Sequence, residues 1–308
     1  MTEPGSATWV DDPEVTALLD RCTFPPPGTP LVCGVSGGPD SLALLILATA
    51  AGCRVTAVHV DHGLRPGSGD EADVVATAAA RFGAAFRSRR VQVADGPNLE
   101  SRARDARHAA LGPGAATGHT ADDQAETVLA NLLRGAGVHG LAGMRAGTVH
   151  PLLALRRTET VALCAHLGVE VVHDPSNDDP RFLRNRIRSE LLPRCSEIAG
   201  RDVVPVLARQ ARLLAGDADL LDEVAGRLDP TDAAGLAAAA PAQARRALRG
   251  WLVAESGHPP PADAVDRVLA VARLERRATE VPGGVRVARS RGRLTQGPIG
   301  DAGAPVQS

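Results

Sequence analysis

The stretch "SGGPDS", residues 36–41, stands between the apolar run "PLVCGV" (30–35) and the alanine- and leucine-rich run "SLALLILATAA" (41–51). The first run reads as a buried strand and the second as a buried helix. Two glycines between them let backbone amides approach a ligand with no Cβ in the way. Pro39 suits the first helical position, with Gly38 as its cap. The helix then aims unpaired N–H groups and a partial positive charge into the loop, and Ser36 and Ser41 add hydroxyl donors. Gly37, Gly38, Pro39 and the two serines thus suit a phosphate, although a tight strand–helix turn would satisfy the same string. The spacing and the lysine of a Walker-type loop are missing. Asp40 is the anomaly, because a carboxylate beside phosphate is repulsive unless a cation or a donor intervenes. It points to bridging Mg²⁺ or to a hydrogen bond that shapes the loop.

The same alternation continues outward. Strand-like runs at Leu31–Val35, Val55–Val60, Arg89–Val93 and Ala115–Thr117 interleave with helix-like runs at Ser41–Ala51, Gly69–Phe82, Leu99–Leu111 and Ala121–Arg134. That pattern predicts an α/β fold, a doubly wound parallel sheet with ligands at the carboxyl ends of its strands. Residues 134–144 are glycine-rich and read as irregular. A helix over 156–167, a strand over 169–172 and a short helix to Leu192 complete the unit. Beyond Gly200 the texture becomes mostly helical and ends in a hairpin around Val281–Val285. The expected organisation is an N-terminal extension (1–29), a catalytic domain (30–195), a helical accessory domain with a terminal hairpin (201–296) and a disordered tail (297–308).

Composition sets limits. The 308 residues carry a net charge of −2, so bulk charge predicts no polyanion partner and local charge must decide. All 34 basic residues other than histidine are arginine, and tyrosine is absent. Five scattered cysteines (Cys22, Cys33, Cys53, Cys164, Cys195) form no CxxC, which argues against a disulfide scaffold or a metal knuckle. No leader and no apolar run of bilayer length is visible, so the expected location is cytoplasmic, without a membrane partner.

Four more stretches carry candidate chemistry. "HVDHGLRPGS" (59–68) places Asp61, His62 and Arg65 where a strand end meets a loop, also the pattern of a polar strand cap. "NLESRARDARHAAL" (98–111) puts Glu100, Arg104 and Arg107 on one helical face. "GHTADDQAETVLANLLRG" (118–135) offers Thr120 and Asp123 as a capping box, with Asp122, Asp123 and Glu126 in the first two turns. Two acids complement a helix dipole; three exceed what capping requires, and together they suit Mg²⁺ or an ammonium. "HDPSNDDPRFLRNRIRSELLPR" (173–194) concentrates Arg181, Arg184, Arg186, Arg188 and Arg194 against Glu190, which suits phosphodiester or a salt-bridge network. A second arginine cluster spans residues 273–293.

In this order, SGGxDS, VDHGLR, NxExxxRxxR, DDQxET, PLL and HDPSN…RNRIR, the chain from 31 to about 195 resembles the tRNA(Ile)-lysidine synthase family of PP-loop ATP pyrophosphatases. The resemblance implies an AMP-forming ligase. ATP, with Mg²⁺, adenylates O2 of the wobble cytidine of a CAU-anticodon isoleucine tRNA, and free L-lysine then attacks C2 and expels AMP. It implies that Ser36, Gly37, Gly38, Pro39, Asp40 and Ser41 hold the nucleotide. Asp40, Asp61, Asp123, Glu126 and His119 become the catalytic candidates, with Asp123 and Glu126 gripping or deprotonating lysine. Arg104, Arg107, Arg184, Arg186 and Arg188 would contact tRNA or phosphate, and Asp40 and Asp122 would hold Mg²⁺. His150 before PLL and His108 depart from the family's usual Arg and Tyr.

Two other readings compete. A PP-loop tRNA 2-thiolation enzyme would need paired cysteines at the site. A nucleotide-binding module without chemistry would keep the glycine loop but need neither the acids nor the arginine clusters.

Overall fold

The computed structural model describes residues 9–61, 68–91, 99–173, 179–256 and 260–298, of which 68–70, 99–101, 103–105 and 254–256 by backbone alone. The chain divides into two units, Met1–Ala215 and Gly216–Ser308. That division falls inside a long helix rather than between residues 195 and 201.

The first unit opens with α1 (Pro13–Leu19), capped by Asp12, whose side chain accepts from Glu14 N at 2.8 Å. Its Val15 is buried in the main core, so this part of the expected extension packs as part of the unit. Then follow β1 (Pro30–Gly34), α2 (Pro39–Ala50), β2 (Arg54–Asp61), α3 (Ser68–Phe82), β3 (Ala85–Arg90), α4 (Leu99–Leu111), β4 (Ala116–Thr117) and α5 (Ala121–Leu133). All four strands are parallel, in the order β3-β2-β1-β4. The order reverses between β1 and β4, and at such a switch point the loops leaving the two strands open a crevice. The loop after β1 is Ser36–Gly38, and the turn after β4 is Gly118–Thr120.

Helix α2 is apolar on all sides and buried from Ser41 to Ala48, which fixes the position of its amino terminus. It packs with β1, β2 and α3 in the main core. Next come α6 (Val138–Leu141), a short helix within the stretch expected to be irregular, and α7 (Arg157–His166). Residues 169–172 form no strand; Val172 N instead donates to Gly37 O at 2.9 Å. A continuous helical run then comprises α8 (Leu183–Arg186), a π-helical turn over Ile187–Leu191, and α9 (Leu192–Ala199). Pro193 does not end this run, because it falls in the first turn of α9 where a missing N–H costs little. Helix α10 (Val204–Gly226) crosses the division between units.

The second unit contains α11 (Ala233–Ala238), α12 (Pro241–Ser256) and α13 (Ala262–Ala272), followed by β5 (Ala278–Val281), β6 (Val285–Ser290) and β7 (Arg293–Pro298). The strands form an antiparallel sheet in sequence order, one strand more than the expected hairpin. Leu248, Val268, Leu269, Val287 and Leu294 anchor its core. The expected disordered tail falls mostly on 299–308, outside the described residues, while β7 runs through Pro298. No described helix is long and apolar enough to cross a membrane.

Candidate functional site

Ser36–Ser41 closes on itself through one hydroxyl. Ser41 Oγ donates to Gly38 O at 2.8 Å and accepts from Ser36 N at 3.1 Å. Gly37 has φ +89°, a left-handed conformation that favours glycine, and a Cβ there would stand 2.6 Å from Val172 Cγ2. Gly38 is the extended N-cap of α2 and Pro39 its first residue. Gly118 is required for a different reason. Its Cβ would meet the backbone O of Asp40 at 2.4 Å and its C at 2.7 Å, so the turn after β4 lies directly against the start of α2.

That close approach brings two sequence-distant motifs to one cleft of about 390 Å³. Ser36, Gly38, Pro39, Asp40 and Ser41 line it from one side, His119 and Asp123 from another, and Arg107, Arg157 and Arg188 add positive charge. Asp123 Oδ2 accepts from Thr120 N at 2.8 Å and Thr120 Oγ1 at 3.0 Å, fixing the first turn of α5. The other oxygen is left to face arginine. His119 Nδ1 lies 2.8 Å from Thr117 Oγ1, which also meets His150 Nδ1 at 3.0 Å. His150 stacks edge-on against His119 with ring centroids 5.0 Å apart.

Arg157 organises the acids, a residue the sequence reading passed over. Its Nε donates to Asp40 Oδ2 at 3.1 Å, its Nη2 to Asp123 Oδ1 at 2.9 Å and its Nη1 to Glu126 Oε1 at 3.0 Å. Its backbone N donates to Asp122 Oδ2 at 2.8 Å. One signal in the sequence could have found it. Arg156 and Arg157 open a helix at the end where its dipole repels cations, so their partners had to lie elsewhere. Arg184 and Arg188, proposed tRNA contacts, both reach Glu126. Arg184 Nε donates to Oε2 at 2.9 Å, and Arg188 Nε to Oε1 at 2.7 Å. The π-helical turn begins between these two arginines, and such turns recur at functional sites. Glu126 has no exposed surface.

The remaining candidates divide. Asp122 faces away from the loop: Arg156 holds it bidentately at 3.0 and 3.1 Å, and it does not line the cleft. Asp61 ends β2 and lies 3.8 Å from Arg90 Nε. Strand alternation turns it from the face on which Val58 and Val60 line the cleft. Arg186 is exposed and pairs with Glu190 at 3.2 Å. The Arg104 side chain, together with His62 and Arg65, lies outside the described residues.

Burial and charge push two acids apart. Burial raises the Asp40 carboxyl above its ordinary value, against the lowering effect of Thr160 and Arg157. Burial also opposes ionisation of Asp123, but Arg157, Arg184 and His119 outweigh it and hold that carboxyl below its ordinary value. Among the described residues no group of three or more His, Cys, Asp or Glu could hold a metal. Mg²⁺ needs less: one carboxylate beside a phosphate chain suffices, which Asp40 can supply. Asp122 does not line the cleft and so does not fit as a second ligand, whereas Asp40 lines it, with Thr160 on Oδ1 and Arg157 on Oδ2. Cys33 and Cys164 are buried with thiols pushed up to about 12 by that burial, and no cysteine lines the cleft.

Comparison with known proteins gives a consistent result. Residues 13–195 match the PP-loop domain and residues 232–295 the TilS substrate binding domain. The chain is 43% identical to a tRNA(Ile)-lysidine synthase of Nocardia farcinica, covering 85% of this chain and 89% of that protein. It is also 43% identical to one of Salinispora tropica, with 88% and 91% covered. The U34-tRNA thiolase NcsA of Methanococcus maripaludis shares the fold, with a TM-score of 0.51 over 66% of this chain and 79% of that one, at 17% identity.

Proposed function

Because the chain belongs to the tRNA(Ile)-lysidine synthase family, we propose that it adenylates O2 of the wobble cytidine in a CAU-anticodon isoleucine tRNA with ATP. Free L-lysine then displaces AMP at C2. The observation that carries this reading is the meeting of the Ser36–Ser41 loop and Asp123 of α5 at one cleft, with Gly118 as the point of contact.

The loop amides of Gly37 and Gly38 and the amino terminus of α2 take the departing pyrophosphate. Arg107, Arg157 and Arg188 line the same cleft and offset negative charge as the α–β phosphate bond breaks. Asp40 would hold Mg²⁺, which supplies further neutralisation of the phosphate oxygens when bound. Asp123, kept ionised by its arginines, suits gripping the lysine ammonium together with Glu126. His119, which lines the same cleft, is a second candidate to accept the proton the amine must lose before attack. Arg186 and the other exposed arginines face the tRNA backbone.

The thiolation reading needs reactive thiols at the cleft, and the buried cysteines supply none. A module without chemistry leaves the acids unexplained. Pyrophosphate release from ATP tests the proposal. Release that requires both magnesium and unmodified CAU-anticodon tRNA is expected; nucleotide bound without turnover would favour the module.

A further inference from the structure

Three carboxylates, Asp40 and Asp123 on the cleft wall and the fully buried Glu126, are met by three guanidiniums, Arg157, Arg184 and Arg188. The cluster is therefore neutral before any substrate arrives. Glu126, with no exposed surface, has guanidinium nitrogens at 2.7, 2.9 and 3.0 Å. An incoming ammonium would find these oxygens already engaged. Adding it without moving a guanidinium would also bury an excess positive charge, which is costly.

Arg157 is placed to relieve both obstacles at Asp123, whose Oδ1 it holds at 2.9 Å, while Arg184 and Arg188 stay on Glu126. Its Nε is on Asp40, in the phosphate loop, and its Nη atoms are on Asp123 and Glu126, at the acid site. Its backbone is pinned by Asp122, so the side chain can swing while the helix start stays fixed. It lines the cleft together with the loop, within reach of a triphosphate seated there. A guanidinium matches phosphate bidentately and stays protonated throughout. The chain contains no lysine, so the internal cation at the acid site cannot itself act as an amine nucleophile.

We propose that Arg157 occupies the site of the lysine ammonium until ATP phosphates draw its guanidinium toward the loop, so that ATP binding opens the site for lysine. This rests on the reading of Asp123 and Glu126 as the ammonium site. Coupling of this kind is reciprocal: whatever factor ATP adds to lysine affinity, lysine adds to ATP affinity.

Calorimetric titration of the full chain with L-lysine, alone and with magnesium and α,β-methylene-ATP, tests it. Lysine is expected to bind at least about tenfold tighter with the nucleotide analogue present, and the reverse titration should return the same factor. In Arg157→Gln the factor should fall to about threefold or less, because lysine no longer competes with a guanidinium. Equal lysine affinities in the two conditions, or no lysine binding even with the analogue, would overturn the proposal. So would full coupling in Arg157→Gln. The wild-type titrations decide the matter even if that variant does not fold. Lysidine formation by the same preparation separates the failures: product without coupling defeats this inference alone, and no product defeats the functional reading as well.

Discussion

Arg188 Nε lies 2.7 Å from Oε1 of Glu126, a carboxylate with no exposed surface. Arg157 and Arg184 complete its shell, so removing Glu126 leaves three guanidiniums to share Asp123 and Asp40. Breaking a buried pair in this way costs about 3 kcal/mol or more. Glu126→Ala should therefore lower the free energy of denaturant unfolding by that amount and abolish lysine transfer. A variant with wild-type stability would remove Glu126 from the centre of the cluster.

Gly118→Ala should damage the site through the backbone. The new Cβ would stand 2.4 Å from Asp40 O, where α2 is buried and cannot retreat. Overpacking of this kind costs roughly 1–3 kcal/mol. We expect lower thermal stability and a larger loss of AMP formation than the destabilisation explains, since the loop and α5 would be forced apart. Unchanged AMP formation would show that the contact is not needed.

Asp40→Ala should abolish tRNA-dependent AMP release by roughly two to three orders of magnitude, the scale on which charge-positioning groups act. The fold should survive, because Asp40 lies at a helix start on the cleft wall. Far-ultraviolet dichroism and product chromatography check both halves. AMP release at the wild-type rate would exclude Asp40 from the reaction.

Arg186→Glu should weaken tRNA binding and leave ATP binding intact, because Arg186 is exposed and pairs only loosely with Glu190. Loss of one phosphate contact should lower the slope of log affinity against log salt by about one. Filter binding across a salt series reads this directly; an unchanged slope would place the tRNA backbone elsewhere.

His166 ties α7 to α1 through Asp12 at 2.8 Å. Its hydrogen bond with Asp12 raises the imidazole above its ordinary value, and the same bond lowers Asp12. A raised histidine contributes stability fully present below about pH 6.5 and lost as pH rises through the folded value. The difference in thermal midpoint between wild type and His166→Gln should therefore be measurable at pH 6 and vanish by pH 9. A gap that persists at pH 9 would deny the charge pairing.

Local signals made much of this legible. The apolar run after Pro39 and the glycines before it announced α2 and its loop, and Thr120 with Asp123 announced the start of α5. Strand–helix alternation implied the parallel sheet. What the sequence concealed depends on tertiary placement. Strand β3 was expected at Arg89–Val93 but occupies Ala85–Arg90, because it is largely exposed and arginine-rich and carries little apolar pattern. Three acids in two turns suggested one cluster, yet Asp122 turns to Arg156 while Asp123 and Glu126 turn to Arg157. Arg184 and Arg188 read as a phosphate-binding surface or a salt-bridge network, and only the fold identifies Glu126 as their shared partner.

The central claim is chemical, and nucleoside analysis tests it most directly. The protein would be incubated with ATP, magnesium, labelled L-lysine and unmodified CAU-anticodon isoleucine tRNA, and the tRNA then digested to nucleosides. The account predicts lysidine carrying the label, one AMP released per lysine joined, and no product when ATP is omitted. Digested tRNA whose wobble cytidine remains unmodified and unlabelled, while ATP is bound, would contradict it.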